Sequence, residues 1–182
     1  MNHLTNIYYF IEDFNRNEIL NLDKKIIIIF RNYKLDHQEP LIRKIKEFCK
    51  RQHRQLFISN NLKLALKLNL DGLYIPSFNT LLKYKNIHKK NFRLIGSAHN
   101  KAELYVKKLQ GCSRIFISPI FKTIKNKSYL GINRFNIICL ENTVPITALG
   151  GINSLNIKKL QLTKSYGFAS ISWIKKNQPK RI

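Results

Sequence analysis

Short apolar runs recur along the whole chain, and polar or amphipathic stretches separate them. Eight of these runs are typical of β-strands because they are short and rich in β-branched and aromatic residues. Strands that alternate with helices pair in parallel, and eight parallel strands close a barrel. The predicted strands are Ile7–Ile11, Lys25–Arg31, Gln55–Ser59, Gly72–Ile75, Phe92–Gly96, Arg114–Ser118, Pro145–Leu149 and Gly167–Ser172.

Helical patterns lie between the strand runs. In Gln38–His53, apolar residues recur at helical spacing from Leu41 to Phe48. Asn100 and Asn153 stand where a helix would begin, and asparagine is a favoured N-cap residue. The other predicted helices are Asn61–Asn69, Asn100–Gln110 and Asn153–Thr163.

The pattern predicts an α/β fold, a compact (β/α)8 TIM barrel in a single domain over residues 1–182, with shortened first and last helical segments. Only about a dozen residues join the first two strands, and ten follow Ser172. Barrels of this type usually have more than about 200 residues. We therefore expect the last helix to be shortened or missing and Lys175–Ile182 to be a solvated basic end.

Composition limits the class of protein. Hydrophobic residues make up 44% of the 182 residues, enough for a real core in one domain. No apolar run approaches the ~20 residues that span a bilayer, and the N-terminus lacks a secretory pattern. Cys49, Cys112 and Cys139 are widely spaced and mostly lie in apolar runs, as reduced core thiols do. These features predict a cytoplasmic protein without a membrane partner.

The chain is strongly basic, with 33 lysines and arginines against 10 aspartates and glutamates and a formal net charge of +23. Nucleic-acid binding is one interpretation of this charge. The favoured interpretation is a coding bias toward lysine, asparagine and isoleucine, because the lysines are spread along the chain without a long basic run. Under either interpretation, a basic surface attracts phosphorylated small molecules.

Small and polar residues follow the later strands of the pattern. An α/β barrel builds its active site from groups at the carboxyl ends of successive strands, so we expect the functional residues there. The four clusters are Gly96–Asn100, Ser118–Thr123, Gly150–Asn153 and Ala169–Ser172.

These clusters resemble, in order and at compatible spacing, the signatures of the thiamine-phosphate synthase/TenI family, and the resemblance runs from about Tyr8 to Ile174. Ser97-Ala98-His99 matches the family's Ser-Ala-His. Residues 118–123 resemble its Gly-Pro-Ile-Phe-Pro-Thr, and residues 149–152 its Ile-Gly-Gly-Ile. The resemblance implies a (β/α)8 barrel that binds a thiazole phosphate. In that family, synthases join it to a pyrimidine-methyl pyrophosphate with Mg²⁺, whereas the TenI branch isomerises the thiazole or has no established chemistry.

The resemblance assigns phosphate binding to Gly150, Gly151, Ile171 and Ser172. The two glycines would let backbone N–H groups approach an anion without a Cβ in the way. A helix that begins near Asn153 would add a dipole that favours negative charge. Ile171 and Ser172 match the end of the family's last strand and are expected to supply amide and hydroxyl donors.

His99 is the only histidine at the end of a predicted strand, and it matches the catalytic histidine of the TenI branch. A histidine titrates near neutrality and can relay protons, as a tautomerase requires. Ser97 lies in the same signature and is assigned with His99 to the catalytic residues. The alternative role of His99 is to orient the loop, because synthases also have a histidine here.

The family's metal and pyrophosphate positions are only partly retained. Its two magnesium-binding aspartates correspond to Asn60 and Asn79, and neutral amides attract Mg²⁺ much less than carboxylates do. Arg31 is retained from the pyrophosphate clamp and Thr123 from the loop after the sixth strand, so both are assigned to substrate binding. No metal ligand or cofactor is predicted, and Mg²⁺ is expected only if the chain is a synthase.

The sequence thus predicts a thiamine-biosynthesis barrel that binds a thiazole phosphate and transfers protons through His99. One alternative is a thiamine-phosphate synthase. Another is a non-catalytic protein that binds a phosphorylated ligand or nucleic acid. A homodimer is also expected, because a missing last helix would leave an apolar groove near Trp173.

Overall fold

The chain forms a closed barrel of eight parallel strands, which confirms the predicted fold. The computed structural model describes residues 6–85, 87, 89–124 and 128–177. Strands that are consecutive in sequence pair with each other, and the last strand pairs with the first, with Asn6 opposite Gly167. The strands are β1 (Asn6–Ile11), β2 (Ile27–Phe30), β3 (Leu56–Ser59), β4 (Gly72–Ile75), β5 (Arg93–Ala98), β6 (Arg114–Ile117), β7 (Ile146–Leu149) and β8 (Gly167–Ser170).

Helical segments connect the strands on the outside of the barrel. The helices α2 (Glu39–Arg51), α3 (Leu62–Lys67) and α4 (Lys101–Leu109) lie within predicted segments. The sequence analysis assigned no helix to α5 (Gly131–Leu140), where the exposed apolar residues Ile137 and Leu140 obscure the helical period. Two 3₁₀ segments cover Leu82–Tyr84 and Ile157–Leu162. The α-helices in the described residues are α1 (Arg16–Leu20), α2 (Glu39–Arg51), α3 (Leu62–Lys67), α4 (Lys101–Leu109), α5 (Gly131–Leu140) and α6 (Ser172–Asn177).

The α-helix predicted over Asn153–Thr163 is wrong. Only Ile157–Leu162 is helical, and it is a 3₁₀ segment. The side chain of Asn153 accepts a hydrogen bond from the Leu155 amide at 2.9 Å, so it closes a local turn instead of capping an α-helix. Asparagine side chains compete with helix formation in this way. The dipole expected from an α-helix at Asn153 is therefore not present.

The last helix is shortened, as predicted, and it extends into the segment that was predicted to be a solvated tail. β8 ends at Ser170, two residues before the predicted end, and Ser172 begins the short helix α6. The predicted basic tail is thus helical as far as Asn177, and its remaining residues lie outside those described. Ile174 is fully buried and Trp173 packs on Phe168, with 5.6 Å between their ring centroids. The homodimer was predicted because a missing last helix would leave an apolar groove, and α6 covers part of that groove. The homodimer stays a prediction, and the apolar surface available for it is smaller than expected.

Aromatic side chains fill the inside of the barrel, with smaller apolar side chains around them. The rings of Tyr8 and Phe116 pack edge to face with 4.8 Å between their centroids. The Tyr74 ring packs in the same way on Phe10 and Phe116, with centroid distances of 5.2 and 5.8 Å. A second apolar layer lies between the strands and the helices. Because these aromatic side chains fill the inside of the barrel, a ligand can bind only at the strand ends.

Among the described residues, no helix is long and apolar enough to cross a membrane.

Candidate functional site

The carboxyl ends of β5 to β8 form one continuous surface. His99 after β5 contacts the Ser118 carbonyl after β6, with 2.8 Å between Nδ1 and O. The Phe121 amide donates to the Gly150 carbonyl at 3.2 Å, which joins the loop after β6 to the loop after β7. The structure thus brings His99 and Gly150 to the same rim of the barrel, in the order that the sequence predicted.

The two glycines after β7 are required by close packing. Gly150 and Gly151 have φ angles of +89° and +74°, which residues with a side chain rarely adopt. A Cβ on Gly151 would lie 2.2 Å from the Phe121 carbonyl oxygen. The predicted reason for these glycines was access of an anion to the backbone. The structure gives a different reason, because the Cβ direction of Gly151 is filled by the loop after β6.

The loop after β7 nevertheless offers backbone donors. In the described part of the chain, the Gly151 and Ile152 amides have no hydrogen-bond acceptor. The Gly151 carbonyl accepts from the Asn156 side chain at 2.8 Å, which fixes this peptide. Successive free N–H groups in a turn form a concave site for anions.

The end of β8 lies beside these amides. The Ser170 hydroxyl is 3.4 Å from the Ile152 carbonyl and accepts from the Trp173 amide at 3.2 Å. Ile171 and Ser172, which follow directly, are both exposed. The residues predicted to bind phosphate, which follow β7 and β8, therefore lie next to each other.

His99 is held in one orientation by its backbone and its ring. Its amide donates to the Glu103 carboxylate at 2.8 Å, and Glu103 is itself bonded to Asn100, the predicted N-cap of α4. The ring Nδ1 lies 2.8 Å from the Ser118 carbonyl, which can only accept a hydrogen bond. Nδ1 therefore carries the proton in the neutral ring, and Nε2 is left as the proton acceptor.

Ser97 lies near the end of β5, two residues before His99, which follows the strand. It is buried, and its hydroxyl lies close enough to the phenol of Tyr74 to influence the pKa of that phenol. Burial raises the pKa of Tyr74 to about 12, although the Ser97 hydroxyl acts in the opposite direction. The sequence analysis did not select Tyr74 as a site residue.

Arg31 lies at the mouth of the barrel on the β2 side. Its guanidinium is 4.7 Å from the centroid of the Phe10 ring. Among the described residues, Arg31 makes no ion pair with a carboxylate. Tyr33, two residues on, bonds to the Ser59 hydroxyl at 2.9 Å and meets Phe78 edge to face at 5.5 Å. Arg31 is therefore a partly buried cation available to an anionic ligand.

Thr123 is partly buried in the loop after β6, four residues after the Pro119 that follows Ser118. This loop continues beyond Ile124 into residues outside those described. Thr123 lies on the same side of the rim as Gly150, because Phe121 bonds to Gly150.

Asn60 and Asn79 are bonded to each other in a way that does not fit a magnesium ion. The Asn79 Nδ2 donates to the Asn60 Oδ1 at 2.6 Å and to the Tyr84 hydroxyl at 2.7 Å. The Asn79 Oδ1 accepts from the Leu81 amide at 3.0 Å. Both amide oxygens already accept hydrogen bonds, and neither carries charge for a cation that prefers carboxylates. Among the described residues, no group of three or more His, Cys, Asp or Glu could hold a metal ion.

The sequence analysis missed the polar residues of α4 that hold the loop after β4. The Lys107 ammonium donates to the Asn79 carbonyl at 2.7 Å, and the Gln110 side-chain amide donates to the same carbonyl at 2.8 Å. Gln110 also donates to the Leu81 carbonyl at 2.9 Å. A signal was present, because Lys107 stands three residues after the buried Leu104, on the apolar face of its helix.

Comparison with known proteins identifies the relatives of this chain. The family model described as "Thiamine monophosphate synthase" matches residues 18–174. A thiamine-phosphate synthase of Prochlorococcus marinus (strain AS9601) is 32% identical over 142 residues, which cover 76% of this chain and 39% of that protein. A putative thiamine-phosphate synthase 2 of Aquifex aeolicus is 27% identical over 134 residues, or 72% of each chain. The chain thus spans about two fifths of the Prochlorococcus protein (39%).

Solved structures share the fold. A thiamine phosphate pyrophosphorylase from Pyrococcus furiosus superposes with a TM-score of 0.79 at 16% identity, over 96% of this chain and 88% of that one. KGPDC from Streptococcus mutans gives a TM-score of 0.71 at 10% identity, over 97% and 92% of the two chains. At such identities these matches support the barrel alone.

Proposed function

Because the chain belongs to the thiamine monophosphate synthase (TMP-TENI) family, we propose that it binds a thiazole phosphate at the carboxyl end of its barrel. The observation that carries this proposal is the pair of free amides at Gly151 and Ile152 beside the exposed Ser172. Backbone N–H groups and a hydroxyl are the donors that a phosphate takes. The net charge of +23 would draw such a ligand to the protein.

The chemistry that the geometry supports best is proton transfer by His99. With its Nδ1 proton directed to the Ser118 carbonyl, the ring can take a proton at Nε2 from one atom of the thiazole and return it to another. One C–H bond of the thiazole is broken and one bond to hydrogen is formed at another of its atoms, so the step needs no co-reactant. Ser97 is buried near the end of β5, close to the phenol of Tyr74, and would line the floor under the bound ring.

Thiamine-phosphate synthase activity is the second candidate, and the names of the relatives favour it. The retained Arg31 and Thr123 agree with it. The bonded pair of Asn60 and Asn79 argues against it, because pyrophosphate departure in this family depends on Mg²⁺ and these amides do not fit that ion. A protein that binds thiazole phosphate without turnover is the third candidate, since it needs only the phosphate donors.

Calorimetry with thiazole phosphate tests the binding step. Ser172→Asp adds a negative charge beside the free amides, and we expect the affinity to fall by about tenfold or more. The matched control is Thr143→Asp, which makes the same charge change at an exposed site before β7, at the opposite end of the barrel. Equal affinities for Ser172→Asp and wild type would mean that the phosphate does not bind here.

Turnover tests the chemical step. We expect the wild type to interconvert the thiazole tautomers, followed by proton NMR, and His99→Gln to slow this by about a hundredfold or more without a change in thiazole phosphate affinity. His53→Gln removes an exposed imidazole far from the site and serves as the control. Thiamine phosphate formation from pyrimidine-methyl pyrophosphate, assayed with and without Mg²⁺, decides the second candidate. Robust Mg²⁺-dependent synthesis by the wild type would replace the tautomerase proposal.

A further inference from the structure

The outer face of α5 is apolar, although the outer face of a helix on a barrel is normally polar. Ile137 and Leu140 are 52% and 69% exposed. They stand three residues apart, on the side of the helix opposite to the fully buried Phe135. Because Phe135 already packs α5 on the barrel, the two exposed side chains are not needed for that contact.

The segment after the 3₁₀ helix Ile157–Leu162 extends this surface. The Asn136 side chain donates to the Leu162 carbonyl at 3.0 Å and accepts from the Lys164 amide at 2.8 Å. These bonds fix Leu162 beside α5, and its side chain is 67% exposed. We call Ile137, Leu140 and Leu162 the α5 patch. Neighbouring exposed apolar side chains of this kind are typical of a surface that another molecule covers.

The charge along α5 is balanced, in contrast to that of the whole chain. The helix α2 carries five basic and two acidic residues. In α5 the single charged residue is Arg134, and Glu141 follows the helix directly. Residues 131–141 therefore have no net charge in a chain whose net charge is +23. Since like charges oppose association, two copies of this chain can approach each other at α5 with little repulsion from the helix itself.

The two charges stand where a two-fold axis would pair them. Arg134, Ile137 and Glu141 follow one another at spacings of three and four residues, so they line one side of the helix. Ile137 lies next to the midpoint between the two charges. If a second α5 packs antiparallel about this midpoint, Arg134 of each copy lies opposite Glu141 of the other, with Ile137 of both copies between them.

Both charged side chains are accessible for such a contact. Arg134 is exposed and makes no ion pair among the described residues. Glu141 pairs with Lys101 at 2.9 Å within the same copy, yet its side chain is still 48% exposed. A carboxylate has room for donors from two cations, so the Lys101 pair does not prevent a second one.

We propose that the α5 patch is the interface of a two-fold homodimer, in which the two α5 helices pack antiparallel and Arg134 pairs with Glu141 across the axis. The occupant is a second copy because α5 is complementary to itself, with an apolar centre between one basic and one acidic end. This interface differs from the one near Trp173 that the sequence predicted. It lies on the outside of the barrel and does not depend on the proposed function.

Sedimentation equilibrium of the full chain tests the interface. At about 0.15 M NaCl, which screens distant surface charges, we expect the wild type to dimerise at micromolar concentrations. Ile137→Asp buries two carboxylates next to each other at the axis and should weaken the dimer by about a hundredfold or more. Leu20→Asp makes the same change at an exposed position of α1 and is the control. A wild type that stays monomeric at high micromolar concentration, or an Ile137→Asp variant that dimerises as tightly as Leu20→Asp, would overturn the proposal.

Charge reversal tests the pairing across the axis. Arg134→Glu and Glu141→Arg should each weaken the dimer by about tenfold, because each places like charges opposite each other. The double variant restores opposite charges at an unchanged net charge, and its affinity should return to within about threefold of wild type. Lys101→Gln removes the ion pair within one copy and should not weaken the dimer. No recovery in the double variant, or equal losses in Lys101→Gln and Glu141→Arg, would exclude this pairing.

Cysteine crosslinking tests the register without adding a charge. In a Cys139→Ser background, Ile137→Cys should form a disulfide between copies under mild oxidation, since the two residues meet at the axis. Arg134→Cys is the matched control, because the antiparallel register separates its two copies by about 10 Å along the helices, beyond the reach of a disulfide. Cys49 and Cys112 are buried, and Cys139→Ser alone measures any reaction of theirs. A disulfide that forms through Arg134→Cys and not through Ile137→Cys would contradict the proposed dimer.

Discussion

Single residues in the mouth of the barrel combine burial with hydrogen bonding. Tyr74 and Ser97 are both buried, and the Ser97 hydroxyl influences the pKa of the Tyr74 phenol. A buried phenol resists ionisation because its charged form loses the solvation of water. Tyr74 therefore makes the stability of the barrel sensitive to alkaline pH.

The sign of this effect follows from the two pKa values. The pKa of Tyr74 is raised from 10.0 to about 12 in the folded protein. Below pH 10 the phenol is protonated in both states, and its full contribution to stability is present. Between pH 10 and about 12 the unfolded phenol ionises while the folded one does not, so the free energy of unfolding falls. For two pKa units the loss is about 2.7 kcal/mol.

Tyr74→Phe should remove this part of the pH dependence. We expect its free energy of unfolding, from urea titrations, to fall less steeply above pH 10 than that of the wild type. Tyr166→Phe changes an exposed tyrosine and is the control. Phenolate absorbance provides a second measurement, in which Tyr74→Phe should show one late-ionising tyrosine fewer than the wild type, because burial also raises the pKa values of Tyr8, Tyr9 and Tyr33. Identical pH slopes for Tyr74→Phe and wild type would contradict the assignment.

The site residues that the sequence analysis selected are marked by local signals, whereas the features it missed depend on partners far away in the sequence. His99 and Gly151 were selected because strand ends and signatures mark them, and the structure brings them to one rim. The reason for Gly151 could not be predicted, because it depends on a backbone from another loop. Lys107 was missed because its partner, Asn79, is 28 residues away in sequence.

At the scale of elements, local sequence signals were sufficient to predict where some strands and helices begin and end. β4 has the predicted bounds, Gly72–Ile75, and Asn100 caps α4 by accepting from the Glu103 amide. The segment after Asn153 was mispredicted, because its polar side chains bond locally and to Gly151. α6 could not be predicted from a segment this short, since burial of Ile174 against the barrel holds it.

The shortened first connection depends on one arginine from a neighbouring element. Arg54, just before β3, is buried, and its guanidinium donates to the carbonyls of Ile19 and Leu22 at 3.0 and 2.5 Å. It also donates to the Asp23 carbonyl at 2.5 Å. The Leu22 carbonyl lies beyond the end of α1 and has no other donor among the described residues, whereas the Ile19 and Asp23 carbonyls also accept from the Leu22 and Ile26 amides. Arg54 donates to all three carbonyls and fixes α1 to the barrel.

Arg54→Met should therefore destabilise the fold strongly. It leaves the Leu22 carbonyl without a donor among the described residues and removes the second donor from the Ile19 and Asp23 carbonyls, and we expect the free energy of unfolding to fall by about 2–4 kcal/mol. Arg54→Lys keeps the charge but loses the planar fork, so an intermediate loss is expected. Arg51→Met, at the exposed end of α2, should change stability by less than about 0.5 kcal/mol. Equal urea midpoints for Arg54→Met and Arg51→Met would rule out this role.

At the scale of the whole molecule, positive charge is the dominant long-range force. The net charge is +23, with 10 acidic residues in the chain. The ion pairs found among the described residues use only Glu39 and Glu141 as acceptors, and both glutamates are partly exposed. Most lysines and arginines therefore repel one another across the surface. Such repulsion opposes the compact state and attracts anions of any kind.

This repulsion predicts that salt stabilises the fold. The Debye length falls from about 30 Å at 0.01 M salt to about 10 Å at 0.1 M, so added NaCl screens most of the repulsion between distant surface charges. We expect the urea midpoint at pH 7 to rise between these two concentrations. The same comparison near pH 10.5 is the internal control, because lysines lose their charge around pH 10.4 and the salt effect should shrink. A midpoint that falls with NaCl at pH 7 would mean that attractive pairs, and not the excess of positive charge, dominate the electrostatics of this barrel.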